Sequence, residues 1–230
     1  MRFILIIGLL STHFAIGQTE SCTTIFCDTF YFEQSAYADS MAYFDLSYKN
    51  DHKVYSDDST LKLAYYTALS HYPELRKSKI ELRLKSISST MQAQPKWDFV
   101  FRLKKNRNYV ININTNEGYT GITYKDLSFN SLVGWLGHEM AHITDYSKKN
   151  NVELLNFIAS YVFDKNVLKR TEHTADRETI RHGLGAQLLE GVNFFHRNRK
   201  VKNWYREKNK KYYLSPEEIV ADMNLRCAEK

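Results

Sequence analysis

The sequence predicts an α+β fold: a helix, a small mixed or antiparallel sheet, then a helical half. Two periodicities carry this. Between residues 80 and 114 apolar side chains return at every second position, as in a strand with one buried face. From residue 130 onward they return at every third and fourth position, as in an amphipathic helix. A third observation sets the organisation. No internal repeat or low-complexity tract interrupts the 230 residues, and 3 Pro and 9 Gly are too few to punctuate separate units, so a single domain follows.

The first element is not part of that domain. MRFILIIGLLSTHFAIG has one positive charge, an apolar run from Phe3 to Leu10, and the small residues Ala15 and Gly17 at the first and third positions before a cleavage point. This reads as a secretory signal over residues 1–17, leaving 18–230 as the mature domain, periplasmic or secreted. The apolar run is far shorter than the roughly 20 residues that span a bilayer. Residues 18–50 are rich in aromatics (Phe26, Phe30, Tyr31, Phe32, Tyr37, Tyr43, Phe44) and read as an N-terminal extension that packs on the domain or shields a cleft. Export permits disulfides. Cys22 and Cys27 can close a small loop, or either can pair with Cys227; none of the three has zinc-site spacing.

Residues 59–72 repeat leucine, alanine and aromatics at helical spacing, and Pro73 follows the helix end. Ile80, Leu82 and Leu84 then alternate with charged residues. Trp97, Phe99, Phe101 and Leu103 alternate with mostly polar ones, as do Tyr109, Ile111 and Ile113. Three strands are predicted there. Asn116-Glu-Gly118 marks a turn, and 120–124 is a candidate short strand. Asn130 or Ser131 can cap a helix reaching about residue 148, with Leu132, Leu136, Met140 and Ile143 as its apolar stripe. Helices follow over 151–163, 166–182 (ended by Gly183 and Gly185), 186–198, 202–212 and 216–227.

The net charge of +6 is scattered, with a basic and aromatic run over 196–213 that reads as a solvated helix face. Nucleic acid is not expected as a partner of an exported chain, and membrane association is not required.

The chemistry concentrates in GWLGHEMAHITDY, residues 134–146. Residues four apart on a helix share a face, so His138 and His142 can reach one ion. A glutamate between two such histidines, here Glu139, is the general base of metal-activated water. The apolar stripe lies away from the two histidines, which places them on the edge of a cleft. Gly134 and Gly137 each cost roughly 1 kcal/mol inside a helix and suggest close approach of another backbone. A catalytic zinc takes three protein ligands, and the candidates for the third are Glu153, Asp164, Glu172, His173, His182 and His196. Asp145 and Lys148 stand where the HExxHxxGxxH pattern needs glycine and histidine, which excludes that arrangement. Glu172 is the best candidate: in Glu172-His-Thr-Ala-Asp176 two carboxylates share a helix face, so Glu172 can bind the metal while Asp176 accepts the free ring N–H of a ligating histidine. The bland alternative is that these carboxylates pair with Lys169 or Arg177 on a solvated surface.

GHEMAHITDY followed some thirty residues later by EHTAD resembles the gluzincin metallopeptidases, in particular the HtpX-like and CAAX-prenyl-protease-like family, over roughly residues 109–180, about a third of the chain. The resemblance implies a zincin-like fold and one catalytic Zn2+ held by His138, His142 and Glu172. It also implies Glu139 as general base, Asp176 behind the ligands, and residues 109–114 as the strand on the upper rim of the cleft. It further implies a zinc-dependent endopeptidase acting on a peptide or protein substrate, in a soluble exported form, since this chain carries no membrane-spanning run. His182, His196 and Tyr205 are candidates for a second donor to the substrate oxygen. The rival expectation is a catalytically silent protein of the same fold that binds or scaffolds a partner in the exported compartment.

Overall fold

The computed structural model describes residues 31–228 apart from 39 and 49, so the predicted signal segment, Cys22 and Cys27 lie outside the described residues. Two short helices come first, α1 (Gln34–Ala38) and α2 (Met41–Tyr48). Phe44 and Tyr48 of α2 are buried and both lie 5.8 Å from the ring of Tyr66, so this part of the aromatic-rich extension packs on the domain. Strand β1 (His52–Tyr55) leads into helix α3 (Ser59–Ser70), where the Asp58 carboxylate accepts the Leu61 N–H as a helix cap. Strands β2 (Lys79–Lys85), β3 (Met91–Pro95) and β4 (Asn108–Asn114) follow.

The four strands form one mixed sheet in the order β1-β2-β4-β3. β1 and β2, and β2 and β4, run parallel, with Ile80 beside Tyr109 and Leu82 beside Ile111. A parallel pair cannot be joined by a tight turn, and α3 is the crossover between β1 and β2. β3 runs antiparallel to β4, with Ala93 opposite Ile111. Ile80, Leu82, Met91, Ala93, Ile111 and Ile113 are buried in the core.

Three expectations for this region are corrected. Residues 97–103 are not a strand: Trp97–Phe101 is a 3-10 turn in which only Phe99 is buried, and an Asp98–Arg102 ion pair one helical turn apart fits that coiling. The partner that β4 takes instead is Met91–Pro95, whose alternation of Met91 and Ala93 with two glutamines is a far weaker apolar signal. Residues 120–124 form no strand; Asn116 caps the short helix α4 (Glu117–Thr120), and a 3-10 turn follows at Tyr124–Asp126. Residues 109–114 are not the rim of the cleft. β4 lies between β2 and β3; the edges of the sheet are β1 and β3, and β3 is the edge beside α5.

Helix α5 (Phe129–Lys148) starts one residue before the predicted cap, because the Ser128 hydroxyl accepts the Ser131 N–H. Its stripe of Leu132, Leu136, Met140 and Ile143 is buried as expected, but so is nearly every other side from Ser131 to Thr144. The helix runs through the middle of the molecule, between α3 and β3 on one side and the later helices on the other. His138 and His142 are therefore buried rather than at an open edge. At the far end of α5, the buried Arg107 guanidinium donates to the carbonyls of Tyr146 (3.0 Å) and Lys149 (2.8 Å), satisfying terminal groups that have no partner within the helix.

Among the described residues five further helices follow, of which two pack directly on α5. In α6 (Asn151–Phe163) Asn150 and Glu153 form a reciprocal capping box. Asp164 caps α7 (Lys165–Arg181), which ends where Gly183 takes φ +80°, a conformation that strains other residues. α8 (Gly185–Arg197) crosses α5 closely: a Cβ on Gly134 would run into the backbone of Gln187 and lie 2.6 Å from Leu188 N. That is the backbone approach the glycine predicted. α9 (Asn203–Tyr212) comes next, and α10 (Pro216–Ala228) carries Cys227, which is disulfide-bonded. No helix among the described residues is long and apolar enough to cross a membrane.

Candidate metal centre

α5 presents the two imidazoles one turn apart, and α7 crosses it so that Glu172 and Asp176, also one turn apart, face them. His138 Nε2 lies 3.0 Å from Glu172 Oε2 and 3.0 Å from His142 Nε2, and His142 Nε2 lies 3.4 Å from Glu172 Oε2. His138, His142 and Glu172 form a buried group that could hold a metal ion, its ligand atoms all within 4.8 Å of one another.

The hydrogen bonds behind the ligands make the convergence chemically specific. Asp176 is fully buried; its Oδ1 lies 2.8 Å from His138 Nδ1, and its Oδ2 accepts the Leu214 N–H at 2.8 Å. A carboxylate facing Nδ1 keeps the proton there, which leaves Nε2 with a lone pair. That lone pair points at a carboxylate oxygen and a second imidazole nitrogen. One proton can reconcile only one of these contacts, whereas a cation reconciles all three. The spacing agrees: bonds of about 2.0–2.1 Å in a tetrahedral zinc site set ligand atoms about 3.3–3.4 Å apart, close to the triangle formed here.

Electrostatics show the same demand for positive charge, which a proton on His138 can meet in part. Burial alone would lower the pKa of His138, but hydrogen bonds to Asp176 and Glu172 and their charges outweigh it and hold the imidazole well above its ordinary value. Burial would raise Glu172, but the charge of His142 and the hydrogen bonds from both histidines hold it well below the usual carboxylate range. The centre thus favours positive charge beside an ionised glutamate. Burial raises Glu139, only partly opposed by the charges of His142 and His138. Its Oε2 accepts the Ala93 N–H at 2.5 Å, which ties the carboxylate to the edge strand β3.

Aromatic side chains enclose the group. The Tyr161 hydroxyl of α6 donates to Glu172 Oε1, leaving Oε2 to face the histidines. Tyr146 stacks on His142 (6.0 Å, 15°), Trp135 meets His138 edge-on (5.5 Å), and Tyr213 lies tilted over His138 (5.3 Å). Tyr146 follows His142 by one turn and was visible in the spacing. Tyr161, Tyr213 and the Ala93 N–H had no such signal, since each reaches the site only through packing.

The structure thus brings His138, Glu139, His142, Glu172 and Asp176 together and leaves the other candidates elsewhere. Glu153 and Asp164 are helix caps. His182 stacks on Tyr72 (4.0 Å) and bonds Glu74 (3.0 Å) at the far end of α7. His196 sits near Lys210 and Glu217. The Tyr205 hydroxyl is spent on Thr90, accepting its N–H at 2.9 Å, and so anchors the start of β3. Arg177 pairs with Asp222 rather than with the buried carboxylates.

No protein-family model, curated protein or solved structure matches the chain.

Proposed function

We propose that the protein is a zinc-dependent endopeptidase of the gluzincin type, exported and acting on peptide or protein substrates. The observation that carries this reading is the convergence of three lone pairs, from His138, His142 and Glu172, next to a carboxylate on the same turn of α5. Two imidazoles and one carboxylate are a three-ligand set that suits a catalytic zinc, whose fourth position belongs to water. When bound, such an ion supplies a Lewis acid that polarises a carbonyl and makes water acidic near neutral pH.

The chain's own groups do the rest. Ala93 N–H holds Glu139 Oε2, so Oε1 is the atom that takes the proton from the attacking water and returns it to the leaving amine. Asp176 keeps the His138 proton on Nδ1, and Tyr161 keeps Glu172 turned toward the histidines. β3, as the edge strand beside α5, offers a line along which an extended substrate can pair. Tyr213 is the side chain we assign as donor to the substrate oxygen, in place of His182, His196 or Tyr205. Its phenol lies in the field of Glu172 and Glu139, and nothing among the described residues hydrogen-bonds its hydroxyl. The disulfide at Cys227 accords with export to an oxidising compartment.

The test is metal analysis of the purified protein followed by a peptide-library digest with and without chelator. Glu139→Gln should keep zinc and lose cleavage, and Glu172→Ala should lose both. Zinc without turnover in the wild type would replace this reading with the silent scaffold; full zinc content in Glu172→Ala would overturn the third ligand.

A further inference from the structure

A surface helix ordinarily buries one stripe and turns polar residues to water; α6 is apolar on two opposite sides. Leu154, Phe157 and Ile158 pack inward, while Val152, Leu155, Val162 and Phe163 point outward, the last 86 % exposed. Beside the start of this helix, the turn that replaced the predicted strand leaves Trp97 and Phe101 exposed at 91 % and 92 %. The two elements form one surface. Asn151 donates to the carbonyls of Val100 (3.2 Å) and Arg102 (3.1 Å), and Leu103 and Val152 line the same hollow. Apolar surface this extensive and contiguous marks an interaction site.

Its rim is basic. Lys104 and Lys105 lie three and four residues past the turn, whose one acidic side chain, Asp98, is neutralised by Arg102, and Lys104 Nζ reaches the carbonyl of Lys148, itself exposed at the end of α5. We infer that this face docks on a bilayer surface containing anionic phospholipid. Charge complementarity selects the occupant. Protein interfaces share the enrichment in Trp and Phe but are depleted in lysine, whereas lysine stems can lie along apolar surface while their ammonium groups reach lipid phosphates. Docking would be peripheral, since no described helix is long and apolar enough to span. The same helix carries Tyr161, which donates to Glu172, and Trp97 lies two residues past the end of β3. The inference does not depend on the centre being catalytic.

The full chain, in a Trp204→Phe background so that exposed Trp97 dominates the response, is mixed with vesicles of phosphatidylcholine alone and of phosphatidylcholine with an equal amount of phosphatidylglycerol. Co-sedimentation with the anionic vesicles is expected, falling as salt rises, together with a blue shift of the tryptophan emission. Trp97→Ser with Phe101→Ser should weaken binding at least about tenfold, and Lys104→Ala or Lys105→Ala about fivefold each. These side chains are exposed, so far-UV circular dichroism should not change; should a variant misfold, the salt dependence and blue shift of the unmutated face still decide. Absence of vesicle binding overturns the inference, as does binding unchanged by the double substitution. So does a dimer in solution that the double substitution dissolves, which would assign the face to a second copy of the chain.

Discussion

Replacing Asp176 with asparagine preserves shape and removes one acceptor. Asp176 serves two donors, His138 Nδ1–H and Leu214 N–H, each at 2.8 Å, and asparagine has one oxygen for both. If that oxygen stays on Leu214, the amide NH2 faces His138 Nδ1, and the imidazole must move its proton to Nε2, the atom aimed at Glu172 and His142. If it turns to His138, the Leu214 N–H is left buried against another donor. The first outcome strikes metal affinity: loss of such an outer partner typically costs 10–100-fold, about 1.4–2.7 kcal/mol. The second strikes folding, since an unsatisfied buried donor costs about 1–3 kcal/mol. Asp176→Asn is therefore expected to weaken zinc binding about 10–100-fold with a destabilisation of that order, read by chelator competition and denaturant unfolding on the same sample. A folded variant with zinc affinity within about threefold of the wild type refutes the tautomer argument. Lost stability with unchanged affinity would assign Asp176 to holding the α9–α10 connection.

Other consequences follow from single contacts. Gly134→Ala places a methyl group against the Gln187–Leu188 backbone and should cost about 1–3 kcal/mol in denaturant unfolding; a neutral result would mean that α5 and α8 separate easily. Tyr213→Phe should keep zinc and lower kcat about 100-fold or more if its hydroxyl meets the developing oxyanion, and an unchanged kcat removes it from the mechanism. His52 is held below its ordinary value by burial, against smaller raising effects from the Arg76 carbonyl and the Asp51 charge. Its folded pKa lies below its unfolded one, so its contribution to stability is full above about pH 6.5 and is lost as pH falls toward the folded value. His52→Gln should flatten that part of the stability profile, measured as unfolding free energy between about pH 7.5 and about pH 5; an unaltered slope would place the titration elsewhere.

The strands show how much of the fold was legible and why. Ile80, Leu82 and Leu84, and Tyr109, Ile111 and Ile113, alternate and are strands. Trp97, Phe99, Phe101 and Leu103 alternate equally well and are not. Alternation reports which side chains suit a pleated surface but says nothing about which backbone will pair, and β4 takes Met91–Pro95 despite its two glutamines. The four-residue β1 was too short to show a period. Helices were read more securely: α3, α5, α6 and α7 lie within a few residues of expectation, because their periodicity, caps and the stop at Gly183 are local properties.

By itself the sequence determined what sits within one helical turn: His138, Glu139 and His142 on one helix, Glu172 and Asp176 on another, and glycines where α5 must be approached closely. Fixed rise and rotation per residue make those relations independent of the rest of the chain. Only the tertiary structure decided that Glu172 Oε2, 34 residues from His138 in sequence, comes within 3.0 Å of it. It also decided that Ala93 rather than β4 borders the site, that Tyr161 and Tyr213 close over it, and that Trp97 and Phe101 face outward. Those relations join separate elements, and the balance of buried area and backbone pairing across the whole molecule sets them, which no local period encodes.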